Sequence, residues 1–251
     1  NGLPLPDIDP ARRGVSSLQQ ALAKIVPIQW LEHSIGWLRL SRQFISNTLT
    51  ERIAGSIRGA RIQQTLLPLV PEISLFLLND DYPQESLSQE EIRWLMDNPA
   101  YWCFCWASGQ VLARFILDQP CWVKGKRVLD FGCGSGVVAV AAAMASAREV
   151  IACDLDSDAL AATGENARLN GVGLELLANA NDLQGHCDVL IVADVLYDTA
   201  NLPLLAEFLA RADDVLVADS RIRDSSEPGY ARIGLERAFT VPALAESEEF
   251  S

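Results

Sequence analysis

Histidine is almost missing from this 251-residue chain, with His33 and His186 as its only two. That removes the raw material for a histidine-ligated zinc site or a serine–histidine triad. The six cysteines include no C-x-x-C pair and no regular spacing, and three lie inside apolar segments, as small hydrophobes do. No metal site is expected from them, and the chain reads as reduced and cytoplasmic. No apolar run approaches the length of a membrane span, and the start NGLPLPDIDP lacks the basic and apolar regions of a signal peptide. A start on Asn1 rather than Met reads as a trimmed one. Positive charge is scarce as well: 20 Lys and Arg against 33 Asp and Glu leave a net charge of −13. Such a balance argues against nucleic acid or an anionic membrane as partner. It suits a basic partner, or serves solubility alone.

What is present is enough apolar material, 49% of residues, for a sizeable core. Residues 1–15 are rich in Pro and Gly and read as an extended lead. From Ser16 to about Gly59 apolar residues recur at helical spacing, broken or kinked at Pro27. Residues 1–60 are therefore expected to form a lead and a helical appendage, and residues 61–251 the main domain. VPEISLFLL (70–78) reads as a strand. SQEE (88–91) is a capping box for a short helix that Asn98-Pro99 stops. From Val128 the pattern becomes strand, turn, helix, strand. RVLDF, EVIACD, LELLAN, DVLIVAD and DVLVADS read as strands, with helices at about 136–147, 156–169 and 201–211. Apolar strands alternating with helices predict a doubly wound, mostly parallel α/β sheet, with ligands beyond the carboxyl ends of its strands.

VLDFGCGSG concentrates Gly132, Gly134 and Gly136 where the first of these strands turns into a helix. Glycines there allow positive φ and close approach of backbone N–H groups to a ligand; tight strand–helix packing can demand them too. The dinucleotide fingerprint G-x-G-x-x-G needs its third glycine at Val137, and no Lys-Ser or Lys-Thr follows to make a phosphate loop. Asp154 ends the second strand, 22 residues after Gly132. A carboxylate at that place can accept from both hydroxyls of a ribose. It can also cap the next helix, although Asp156 and Ser157 are available for that.

VLDFGCGSG, VIACDLDSDAL and ENARLNGV, in this order and spacing, resemble motifs of the class I, seven-stranded S-adenosylmethionine-dependent methyltransferases. NPAYWCFCWASGQVLARFILDQP (98–120) and DVLIVADVLYD (188–198) resemble protein-lysine methyltransferases, especially bacterial relatives of the electron-transfer-flavoprotein β-subunit lysine methyltransferase. The resemblance spans roughly residues 65–220 and implies a Rossmann-like methyltransferase sheet. It implies S-adenosylmethionine as cofactor, with Gly132, Gly134 and Gly136 near its methionine and ribose and Asp130 orienting its amino group. Asp154 would hold the ribose and Asp182 the adenine amine, a task open to Asn181 as well. The D-x-x-Y pair Asp194 and Tyr197 would carry catalysis, with Trp106 walling the channel. Trp102 and Phe104 are equally readable as core. Gln110 is readable as a binding group or as solvent-facing.

The activity implied is methyl transfer to the side-chain amine of a lysine in a protein, with the electron-transfer flavoprotein β-subunit or a ribosomal protein as acceptor. A small-molecule amine as acceptor, or a module that binds S-adenosylmethionine without catalysis, stay open. The family's domain also ends in a strand pair, whereas only 31 residues follow Ser220 here, so a missing C-terminal strand is expected.

Overall fold

The computed structural model describes residues 48–53, 59–82, 99–196, 199–220 and 227–243. The expected helices before residue 48 and around 92–96 lie outside them, while residues 48–53 are helical. Strands β1 (Ile62–Leu66) and β2 (Ser74–Leu78) pair antiparallel, Ile62 opposite Leu78 and Leu66 opposite Ser74. The expected strand at 70–78 is thus shorter, because a turn closed by the Ile73 N–H on the Val70 carbonyl (2.9 Å) occupies its start. After Ser74, β2 is apolar because both of its faces are buried. Leu75 and Leu77 join one core cluster, and Phe76 and Leu78 another with Leu49, Ile53 and Trp102.

After helix α1 (Ala107–Asp118) the chain alternates as the sequence pattern predicts. The elements are β3 (Arg127–Phe131), α2 (Val137–Met144), β4 (Glu149–Cys153), α3 (Ser157–Leu169) and β5 (Glu175–Leu177). β6 (Cys187–Ala193), α4 (Leu204–Arg211) and β7 (Ala212–Ala218) complete it. The five strands β3–β7 form a parallel sheet in the order β5-β4-β3-β6-β7. Successive residues point to opposite faces. Val128, Val150, Val189 and Ile191 pack with α1 and α2, while Leu129, Ile151, Leu190 and Val192 pack with Leu205 and Phe208 of α4. Burying one such side chain contributes roughly 1.5–3 kcal/mol. Among the described residues β5 and β7 are the sheet's edges, and the stretch 227–243 adds only an isolated bridge, Val241 to Cys105.

Helix α3 ties the hairpin to the sheet. Its Asn166 and Asn170, one turn apart, meet the free edge of β2 as a neighbouring strand would. Asn166 Oδ1 accepts from the Phe76 N–H (2.6 Å) and Asn170 Oδ1 from the Ser74 N–H (3.0 Å). The helix starts on Asp156, which accepts from the Asp158 N–H (2.8 Å), and it stops at Asn170 before Gly171, whose φ is 71°. All six cysteines are free thiols, five of them buried, and no helix among the described residues is long and apolar enough to cross a membrane.

Candidate active site

In a parallel sheet, a crevice opens where neighbouring strands lead away in opposite directions. Here that point lies between β3 and β6. The glycine loop follows β3, Asp154 follows β4, Asp194 follows β6 and Asp219 follows β7. The cleft above them is lined by Gly132, Gly134, Asp154, Asn181, Asp194 and Trp106, among others.

The three glycines are bare for different reasons. All have positive φ, but a Cβ on Gly132 would come within 2.6 Å of Val195 Cγ2, and one on Gly136 within 2.8 Å of Thr163. Gly134, at φ 51°, has nothing within 4 Å of that position, so it is the backbone a ligand can approach. Helix α3 holds the loop from the protein side. The Thr163 hydroxyl donates to the Gly134 carbonyl (3.0 Å) and Asn166 Nδ2 to the Ser135 carbonyl (2.8 Å).

Asp130 sits on β3 with 2% of its surface exposed and is not among the residues lining the cleft. Its Oδ2 accepts from the Ala139 N–H (3.0 Å), capping α2, a helix with no side-chain cap of its own. Burial pushes its carboxyl up to about 7. Asp154 lines the cleft, accepting from the Gly134 N–H (2.9 Å) and the Asp156 N–H (3.0 Å). Burial raises its carboxyl despite those bonds. Its neighbour Leu155 is 86% exposed at the cleft and supplies an apolar face that the sequence reading missed. Asn181 and Asn179 line the cleft, whereas Asp182, exposed in the turn Ala180–Asp182, does not. Asn181 Oδ1 accepts from Arg211 Nη2 (2.7 Å).

Asp194 has φ 51°, rare for a residue with a side chain, and the Ala218 carbonyl accepts its N–H (3.0 Å). Its carboxylate reaches the start of α1, 86 residues earlier. Oδ2 accepts from the Ser108 N–H (3.0 Å), and Oδ1 accepts from the Ser108 hydroxyl (2.7 Å) and the Ser220 hydroxyl (3.1 Å). Burial raises the carboxyl, with Asp219 adding to the rise, and the bonds from Ser108 and Ser220 oppose it. Trp106 opens α1, its Nε1 donating to the Tyr101 carbonyl (3.1 Å) and its ring 5.7 Å from Phe104 and 5.8 Å from Tyr101. Trp102 is 2% exposed and belongs to the core. Tyr197 lies outside the described residues.

Gln110 is buried and faces neither ligand nor solvent. Its Nε2 donates to the Phe239 carbonyl (2.6 Å), which fastens the stretch 229–240 along the cleft. Nothing in local periodicity announces a contact between residues 129 positions apart.

These groups fit the adenosyl half of S-adenosylmethionine. The cradle at Gly134 is one that a Cβ would fill, a half-buried carboxylate stands beside it, and an exposed apolar side chain follows. The ribosomal protein L11 methyltransferase (PrmA) family matches residues 112–220. Among solved structures, the ribosomal protein L11 methylase from Lactobacillus delbrueckii subsp. bulgaricus matches at 28% identity with a TM-score of 0.39. That match covers 44% of this chain and 58% of that one. The mostly parallel sheet with flanking helices is the Rossmann-like fold of a class I S-adenosylmethionine-dependent methyltransferase. The electron transfer flavoprotein beta subunit lysine methyltransferase of Xenopus laevis is 37% identical over 171 residues, 64% of this chain and 68% of that protein. Its counterpart from Danio rerio is 33% identical over 224 residues, 84% of each chain. The chain belongs to the electron transfer flavoprotein beta subunit lysine methyltransferase family.

Proposed function

We propose that this protein methylates the side-chain amine of a lysine in a protein acceptor, with the electron transfer flavoprotein β-subunit as the acceptor its relatives' names suggest. The observation that carries the reading is Asp194, a half-buried carboxylate at the end of β6 between the glycine loop and the aromatic start of α1. When bound, S-adenosylmethionine supplies an electrophilic methyl group on a cationic sulfur. Gly134, Asp154 and Leu155 would hold its adenosyl part.

A lysine amine must be neutral to attack, and removing its proton at pH 7 costs about 4–5 kcal/mol from a reference pKa of about 10.4. Trp106 and its aromatic neighbours lower that cost by excluding water. Asp194 accepts a hydrogen bond from the amine, which orients its lone pair, and takes part in removing its proton. Because burial raises its carboxyl, Asp194 is a better proton acceptor than a solvated aspartate. The net charge of −13 suits a lysine presented on a basic surface.

The test is transfer of label from methyl-tritiated S-adenosylmethionine into proteins of a bacterial lysate, by wild type and by Asp194→Ala. A discrete labelled band that the variant fails to produce supports the reading. Binding of the cofactor by calorimetry with no labelled protein, but label in free amines, contradicts it.

A further inference from the structure

Helix α1 begins without a side-chain cap from its own sequence: Trp106 occupies the capping position and makes no such bond. The first turn of a helix leaves N–H groups unpaired and carries partial positive charge. Asp194, at the end of β6, fills that place, so the residue read as receiving the acceptor amine is at the same time the cap of α1.

The two oxygens are loaded unequally. Oδ1 takes the hydroxyls of Ser108 (2.7 Å) and Ser220 (3.1 Å) and a long contact from the Ser220 N–H (3.4 Å). Oδ2 takes only the Ser108 N–H (3.0 Å) among the described residues. Oδ2 is therefore the oxygen with acceptor capacity left for an amine. Ser108 touches both oxygens, which fixes the plane of the carboxylate as well as its position, and it is 6% exposed.

We infer that Ser108 is a positioning residue for methyl transfer: by its hydroxyl and its N–H it holds Asp194 with Oδ2 toward the acceptor amine. This rests on the reading of Asp194 given above. Several groups bear on how Asp194 titrates. Ser108 and Ser220 hold the charged form, as does the start of α1, while Asp219, beyond β7, opposes it. Cys105, from the aromatic segment, is a buried thiol pushed far up and stays protonated. Losing the Ser108 hydroxyl removes a bond to the charged form, so the carboxyl rises further.

The experiment compares wild type, Ser108→Ala and Ser108→Thr with methyl-tritiated S-adenosylmethionine and purified electron transfer flavoprotein β-subunit across pH. It is paired with a carbon-13 NMR titration of the Asp194 carboxyl. Ser108→Ala is expected to lower kcat by about tenfold, because the carboxylate is no longer held with Oδ2 toward the amine. KM for the cofactor stays, because Gly134 and Asp154 are untouched. The acid limb of the rate and the NMR titration both move to higher pH, and Ser108→Thr, which keeps the hydroxyl, restores most of the rate and the titration. A merely structural role would lower the melting temperature without moving the acid limb. If Ser108→Ala does not fold, Ser108→Cys, near it in size but a weak donor, is read in its place. An active wild type with an unshifted, equally fast Ser108→Ala overturns this inference alone. A wild type that transfers nothing to lysine while the titration shifts as expected overturns the reading of function on which it rests.

Discussion

Substituting Gly134 and Gly136 separately distinguishes a loop shaped by packing from a loop shaped by a ligand. Both have positive φ, 51° and 79°, so alanine at either costs about 1–2 kcal/mol for the left-handed backbone. At Gly136 the new Cβ lies 2.8 Å from Thr163 Oγ1 and Cγ2, and Thr163 is fully buried with its hydroxyl on the Gly134 carbonyl. Overpacking there adds roughly 1–3 kcal/mol, giving about 2–5 kcal/mol in all. At Gly134 nothing lies within 4 Å, so stability falls only by the backbone cost, while the methyl group stands in the cleft beside Asp154. Cofactor affinity is then expected to fall by about tenfold or more, the equivalent of 1.4 kcal/mol. Urea unfolding and calorimetric titration with S-adenosylmethionine measure the two effects. The reasoning is refuted if Gly134→Ala binds the cofactor as wild type does, or if it is the less stable of the pair.

Asp130→Asn tests the buried carboxyl. A native-state carboxyl raised to about 7 from 3.8 contributes stability that is fully present below pH 3.8 and is lost as pH rises through 7. Asn keeps an acceptor for the Ala139 N–H, so the variant's advantage over wild type should grow between about pH 4 and 7 toward roughly 4 kcal/mol, then level off. A pH-independent difference in urea unfolding contradicts this. Asn166→Ala leaves the Phe76 N–H and the Ser135 carbonyl without their partner, and is expected to cost about 2–5 kcal/mol in the same assay. Asp194→Asn should lower kcat by about 10²–10⁴-fold and leave the cofactor's calorimetric Kd within about twofold.

The α/β alternation from Val128 onward was readable because buried parallel strands and the helices between them differ in period and length. Its strand ends shifted by only a residue or two. The Asn170-Gly171 stop was readable too, and the cap was narrowed to Asp154, Asp156 or Ser157, of which Asp156 serves, since helix ends are written in local chemistry. The β1–β2 hairpin was only half seen. IQQTL has polar residues inside a strand, and its partner's pairing is completed by Asn166 and Asn170, about 90 positions away. Asp130 and Asp194 were picked out by position within motifs. That each caps a helix from a distant strand depends on the folded register, which no local pattern encodes. For the same reason Ser108 and Ser220 went unnoticed and Gln110 was misjudged. The order of Asn181 and Asp182 around the cleft is decided by one tight turn, where a single position separates a lining residue from an exposed one.

The central claim is that this cleft delivers a methyl group to a protein lysine. Peptide mass spectrometry of purified electron transfer flavoprotein β-subunit, after incubation with the protein and S-adenosylmethionine, tests it most directly. The account predicts one or more methyl groups on a lysine, present with wild type and absent with Asp194→Ala. An unmodified lysine set, with methyl groups instead on another residue type or on a small-molecule amine in the mixture, would contradict it.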